Sequence, residues 1–199
     1  MTSPEGTKSA MPWLYAIVDL EVAKNPIELA ERALRVAPAC LQLRAKKADD
    51  QTWLEAARAL RSRCKQASVP FVVNDRADIA AIVGADGLHL GQDDLPIAEA
   101  RRVVGDIAIG LSTHTLDQAR EADSAGADLI AFGPIFGTTT KKHPDPTVGL
   151  ARLREVRALV SKPIVAIGGI TPENAGETRE AGADYVAAIS ALPSFVPPV

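Results

Sequence analysis

The chain has 199 residues, a formal net charge of −3, 47% hydrophobic and 24% charged residues, which suits a single globular domain able to bury a substantial core. The absence of any long basic run argues against nucleic acid as the main partner. Cys40 and Cys64 show no metal-type spacing and read as buried free thiols, and no segment is apolar for long enough to span a bilayer. Met1 to Met11 is polar and lacks the apolar stretch of a secretory leader, so a soluble, cytoplasmic protein is expected.

In chain order, eight apolar runs of strand length stand out: Leu14 to Asp19, Cys40 to Arg44, Pro70 to Asp75, Gly87 to Gly91, Ile107 to Ser112, Leu129 to Pro134, Pro163 to Gly169 and Tyr185 to Ser190. Their near-continuous apolarity is that of strands covered on both faces of a parallel sheet. Between them lie stretches of helical period. In Asp49 to Ala67, Trp53, Leu54, Ala57, Leu60 and Cys64 share one face, whereas Arg58, Arg61 and Lys65 take the other. That spacing makes Trp53 a core residue. A helix is predicted from Thr115, with Gln118 placed to complete a capping box, and another from Thr171-Pro172.

The tripeptide Gly-Ala-Asp recurs at 84–86, 126–128 and 182–184, each time just before a strand. Glycine there ends a helix in the left-handed conformation, and the aspartates do turn work on the rim where strands begin. Eight strands and seven crossovers predict one (β/α)8 barrel. Residues 1–12 read as an N-terminal extension, 13–191 as the barrel and 192–199 as a proline-rich tail. Pro193, Pro197 and Pro198 rule out a normal eighth helix, so the closing helix is expected to be missing. Apolar surface beside the seventh, eighth and first strands then needs cover from residues 1–12, Phe195 or a partner subunit.

Catalytic groups of such barrels sit at the carboxyl ends of the strands. Here those ends carry Gln42, Arg44 and Lys46, alternating so that all three point one way; then Asn74 and Asp75; Gln92, Asp93 and Asp94; Ser112 and His114; the loop Thr138 to Lys142; Gly168-Gly169; and Ile189-Ser190. Cations, carboxylates, hydroxyls and a Gly-Gly loop describe a phosphate and metal site. The hard oxygen ligands Asp75 and Asp94 suit Mg2+, and Arg44 and Lys141 can neutralise phosphate. Asp93 is the weaker of the adjacent pair, since consecutive side chains point apart. His89, inside a strand, reads equally as a packed or a catalytic residue, and His114 lies nearer the rim.

Gln42-Leu-Arg-Ala-Lys46, Asn74-Asp75, His89 to Asp94, Gly133 to Lys141, Ala166 to Ile170 and Ile189-Ser190 together resemble the thiamin-phosphate synthase family, in the right order over about residues 14–191. The resemblance implies a magnesium-dependent transferase. It would join 4-amino-2-methyl-5-(diphosphooxymethyl)pyrimidine to 4-methyl-5-(2-phosphooxyethyl)thiazole, giving thiamin phosphate and pyrophosphate by a dissociative route. Carried over position by position, Asp75 and Asp94 would bind Mg2+. Gln42, Arg44, Lys46, Asn74, Ser112 and Lys141 would hold the pyrimidine diphosphate, with Lys141, Arg44 and Ser112 taking the catalytic roles. Thr138, Thr140, Gly169, Ile189 and Ser190 would hold the thiazole phosphate. The expected partners are these two small molecules, with a second copy of the chain as a candidate and no membrane. Two other readings share the fold, a thiazole tautomerase and a non-catalytic barrel that binds a phosphorylated ligand. The joint presence of Asp75, Asp94 and Lys141 argues against the tautomerase.

Overall fold

The computed structural model describes residues 10–137 and 146–197. Its strands are β1 (Leu14–Asp19), β2 (Cys40–Arg44), β3 (Phe71–Asn74), β4 (Gly87–Leu90), β5 (Ala108–Thr113), β6 (Leu129–Phe132), β7 (Ile164–Ala166) and β8 (Tyr185–Ala188). All are parallel, and β8 pairs with β1 to close the barrel in sequence order. The helices are α1 (Pro26–Leu34), α2 (Asp50–Ala67), α3 (Ala77–Val83), α4 (Ile97–Val104), α5 (Leu116–Ser124), α6 (Gly149–Leu159), α7 (Ala175–Glu180) and α8 (Leu192–Phe195).

The apolar runs are continuous because each face of a strand has its own core. Leu14, Ala16 and Val18 of β1 face the helices, while Tyr15 and Ile17 face the barrel interior with Cys40, Val72, Ala131, Val165 and Ala187. Near the carboxyl ends the same inward row turns polar, through Gln42, Asn74 and His89. Both cysteines are buried free thiols, and burial pushes the Cys64 thiol up to about 12. Trp53 is buried on α2 and donates its indole N–H to the Ala45 carbonyl at 2.7 Å.

The Gly-Ala-Asp echoes form three equivalent clamps on the rim where strands begin. Gly84, Gly126 and Gly182 all have positive φ. Asp86 accepts from the Phe71 N–H at 2.8 Å and from Arg61 of α2 at 2.5 Å. Asp128 does the same for Ile109 and Arg101 of α4, and Asp184 for Ile164 and Arg157 of α6. Each aspartate thus ties an even strand to the odd one before it and to the helix that leads into that odd strand. At the fourth equivalent corner Ala39 donates to the Leu14 carbonyl at 2.8 Å, as Asp86 does to Phe71, but without a carboxylate. Ala37 there takes the left-handed place of the glycine, with φ 44°.

Three expectations are amended. Thr115 caps α5 by accepting from the Gln118 N–H at 3.1 Å, but the Gln118 side chain accepts from His114 N–H at 2.8 Å, one residue before the cap. The helix predicted from Thr171-Pro172 begins at Ala175. The Asn174 side chain accepts from the Thr171 N–H at 2.8 Å and donates to the Gly169 carbonyl at 3.0 Å, holding the segment as a turn in competition with helix. Finally, a single turn, α8, stands where no normal helix can form. Pro193 lies in its first turn, where a missing N–H costs nothing. Leu192, Phe195 and Val196 are buried, with Phe195 edge-on to Trp13 at 6.2 Å, so Phe195 does supply cover. Arg32 of α1 fastens this turn by donating to the carbonyls of Pro193, Val196 and Pro197.

Candidate active site

A cavity of about 540 Å³ opens at the carboxyl ends of the strands, within the range of small-molecule sites. Gln42, Arg44, Lys46, Asn74, Asp75, Asp94, Ser112, Gly169, Ile189 and Ser190 all line it. Thr138, Thr140 and Lys141 lie outside the described residues. Beneath the polar wall, Tyr15, Ile17, Val165 and Ala187 form a floor continuous with the inner core.

The wall is built largely by β2 and its neighbours. The Tyr15 hydroxyl donates to Gln42 Oε1 at 2.8 Å, and Gln42 Nε2 donates to Asn74 Oδ1 at 3.1 Å. Each residue fixes the next, and the bond from Tyr15 sets which end of the Gln42 amide faces Asn74. Two residues on, Arg44 is paired with the buried carboxylate of Asp19 at the end of β1. Beyond the strand, the Lys46 ammonium bonds Asp75.

Asp75 has φ 64°, a left-handed conformation that aspartate tolerates better than most residues, and its N–H donates to the His89 carbonyl at 2.8 Å. Burial pushes its carboxyl above the ordinary 3.8; Lys46 pulls it back, and neighbouring Asp94 pushes it up again. Asp94 is fixed by accepting from the Gly91 N–H at 2.7 Å, while Asp93 beside it is exposed and Asp94 is the one that acts on Asp75. Two partly buried carboxylates that repel each other gain from a shared cation. Among the described residues no third His, Cys, Asp or Glu joins them. A pair of hard oxygen ligands with the other positions left to water and phosphate is the donor set Mg2+ prefers.

Opposite, His89 Nε2 lies 2.8 Å from Ser112 Oγ. Burial lowers the imidazole to about 4, so it is neutral near pH 7. Its Nδ1 is buried without a hydrogen-bond partner among the described residues, facing Gly110, where a Cβ would stand 2.7 Å away. Gln92 Nε2 donates to the Ser112 carbonyl at 2.6 Å, and His114 Nδ1 lies 2.6 Å from the Gly133 carbonyl. Gly168 and Gly169 have positive φ, and a Cβ on either would run into Pro134 or the Gly137 carbonyl at 2.4 Å. The Gly-Gly pair is therefore also required for the close approach of the loop after β6.

Asp19 and Tyr15 are site residues that the sequence pattern does not single out. Asp19 carries the same signal as Arg44, a charge ending an apolar run, whereas nothing in the pattern marks a tyrosine inside a buried strand.

The model of the family described as thiamine monophosphate synthase matches residues 14–192. The chain belongs to the thiamine monophosphate synthase family. Within it, the chain is 44% identical over 181 residues to the thiamine-phosphate synthase of Chloroflexus aurantiacus, covering 90% of this chain and 84% of that one. It is 47% identical over 185 residues to that of Natronomonas pharaonis, covering 90% and 86%. The thiamine phosphate pyrophosphorylase structure from Pyrococcus furiosus superposes with a TM-score of 0.82 at 35% identity, covering 93% of this chain and 87% of that one. Among the described residues of this thiamine monophosphate synthase barrel, no helix is long and apolar enough to cross a membrane.

Proposed function

We infer that this thiamine-phosphate synthase joins the pyrimidine methyl diphosphate to the thiazole phosphate with the help of Mg2+ and by a dissociative route. The observation that carries the reading is the facing pair Asp75 and Asp94 beside Arg44 and Lys46, set at the mouth of a cavity with an apolar floor. In the reaction, the bond between the exocyclic methylene carbon and the diphosphate oxygen breaks, and both electrons leave with pyrophosphate. The thiazole ring nitrogen then gives its lone pair to that carbon, forming the C–N bond of thiamin phosphate.

Such chemistry calls for stabilisation of a departing anion and needs no general base. Gln42 and Asn74 hold the pyrimidine through the amide hydrogens left over from their mutual bond. Ser112, kept in place by a neutral His89, faces the same ring. Arg44, Lys46 and Lys141 receive the diphosphate. Asp75 and Asp94 would hold Mg2+, which when bound supplies further positive charge to the departing pyrophosphate. Thr138, Thr140, Gly169, Ile189 and Ser190 receive the thiazole phosphate. Ile17, Val165 and Ala187 keep water away from the carbon that becomes cationic.

The test is incubation of the purified protein with both phosphorylated substrates and Mg2+, following thiamin phosphate by chromatography. Product that requires Mg2+ and disappears in Asp94→Ala supports the reading. Tight ligand binding without product from folded protein sinks it and favours a binding barrel.

A further inference from the structure

We propose that Asp19 is a positioning residue for the diphosphate: its buried carboxylate holds the Arg44 guanidinium at the cavity wall before substrate arrives. This rests on the reading of Arg44 as a diphosphate ligand. Asp19 and Arg44 are register partners on the adjacent strands β1 and β2, at the ends that face the cavity. Asp19 is 1% exposed, and a carboxylate so buried must be fully partnered. One oxygen accepts from the Glu21 N–H at 2.8 Å and the other from Arg44 Nη1. With both oxygens engaged it has no role as a metal ligand or a base, and it does not line the cavity, whereas Arg44 does.

Arg44 spends one arm on this bond. Its Nε and Nη2 make no hydrogen bond among the described residues, leaving two N–H-bearing nitrogens for phosphate oxygens. The guanidinium fork permits this division, because one arm can be tied back while the others remain presented. The surrounding backbone makes the tie rigid. Leu20 N–H donates to the Arg44 carbonyl at 2.9 Å, and Glu21 Oε1 accepts from the Lys47 N–H at 2.8 Å, so the loops after β1 and β2 are fastened together. An arginine held in this way loses little further freedom on meeting its anion.

Steady-state kinetics of Asp19→Asn, Arg44→Ala and the double variant, with each substrate varied in turn, test this. Asp19→Asn is expected to raise KM for the pyrimidine diphosphate roughly tenfold and to weaken pyrophosphate binding by calorimetry to the same extent. KM for the thiazole phosphate should not move. The double variant should be no worse than Arg44→Ala alone, since Asp19 acts only through Arg44. Equal rises in both KM values, an unchanged diphosphate KM, or additive effects in the double variant would overturn the proposal. Arg44→Ala that leaves diphosphate KM and pyrophosphate binding untouched would bring down the underlying reading and the proposal with it. Should Asp19→Asn fail to fold, Arg44→Lys carries the test. An ammonium keeps the buried charge paired but has no second arm, so diphosphate KM should rise while the thermal midpoint holds. A wild-type KM in that variant overturns the proposal.

Discussion

On the rim where strands begin, Asp86, Asp128 and Asp184 each meet a strand N–H and an arginine; on the rim where strands end, Asp75 and Asp94 meet each other. The residue types are the same, but the electrostatics run in opposite directions. Although partial burial pushes the Asp128 carboxyl up, the Ile109 N–H and Arg101 hold it below the usual range. Burial and Asp94 outweigh Lys46 at Asp75, which sits above it. One rim is satisfied locally and stabilises the fold. The other holds two like charges together in an arrangement that an added cation relieves, a pattern expected where a protein spends stability on function.

The largest effect that separates the rims is on turnover. Asp94→Ala should lower kcat/KM at least about a hundredfold, yet leave the thermal midpoint within about 2 °C, because the repulsion it removes offsets the lost bond from the Gly91 N–H; matched kinetics and calorimetry check this. A midpoint drop comparable to that of a clamp variant would erase the contrast. The converse is Asp184→Ala, which leaves the buried Ile164 N–H without its acceptor and frees one arm of Arg157. It should cost about 2–3 kcal/mol in urea unfolding, with KM values unchanged in the folded fraction. A smaller loss, roughly 1 kcal/mol, is expected from Arg32→Ala, which releases the α8 turn while sparing both rims.

The finest test uses pH. Asp75 is raised above 3.8, so the folded state binds its proton more tightly than the unfolded chain, and stability is lost as pH rises through 3.8 to the folded value. Asp128 is lowered, so its contribution is present above 3.8 and lost as pH falls through the folded value. Asp75→Asn should therefore gain about 1–2 °C at pH 7, helped by the ease with which Asn adopts positive φ, while Asp128→Asn should lose stability there. Both differences should shrink below the ordinary carboxylate range. Thermal melts across pH with identical shifts for the two variants would contradict the opposite signs.

Much of this was legible in the chain. The ranges Leu14–Asp19 and Cys40–Arg44 are read directly from apolarity, and the other strands differ from expectation only at their ends. The reason is that a parallel strand buried on both faces has an unambiguous apolar signature. The placement of Gln42, Arg44, Lys46, Asn74 and Asp75 on one rim followed from strand alternation and the barrel rule alone. Helix starts were less secure. At Thr171 and Gln118 a side chain had a choice of backbone partners, and local pattern cannot rank them.

By itself, then, the sequence determined the barrel, its order of strands and the rim that carries the polar residues, because period and punctuation are local properties of the chain. Tertiary structure alone decided which charges meet. That Arg44 turns to Asp19, that Lys46 reaches Asp75, and that Asp86, Asp128 and Asp184 each find an arginine from the helix preceding the two strands they join depend on strand register and barrel closure. Those set distances between residues far apart in sequence. Electrostatic energy follows distance and burial, and neither is written in composition or spacing.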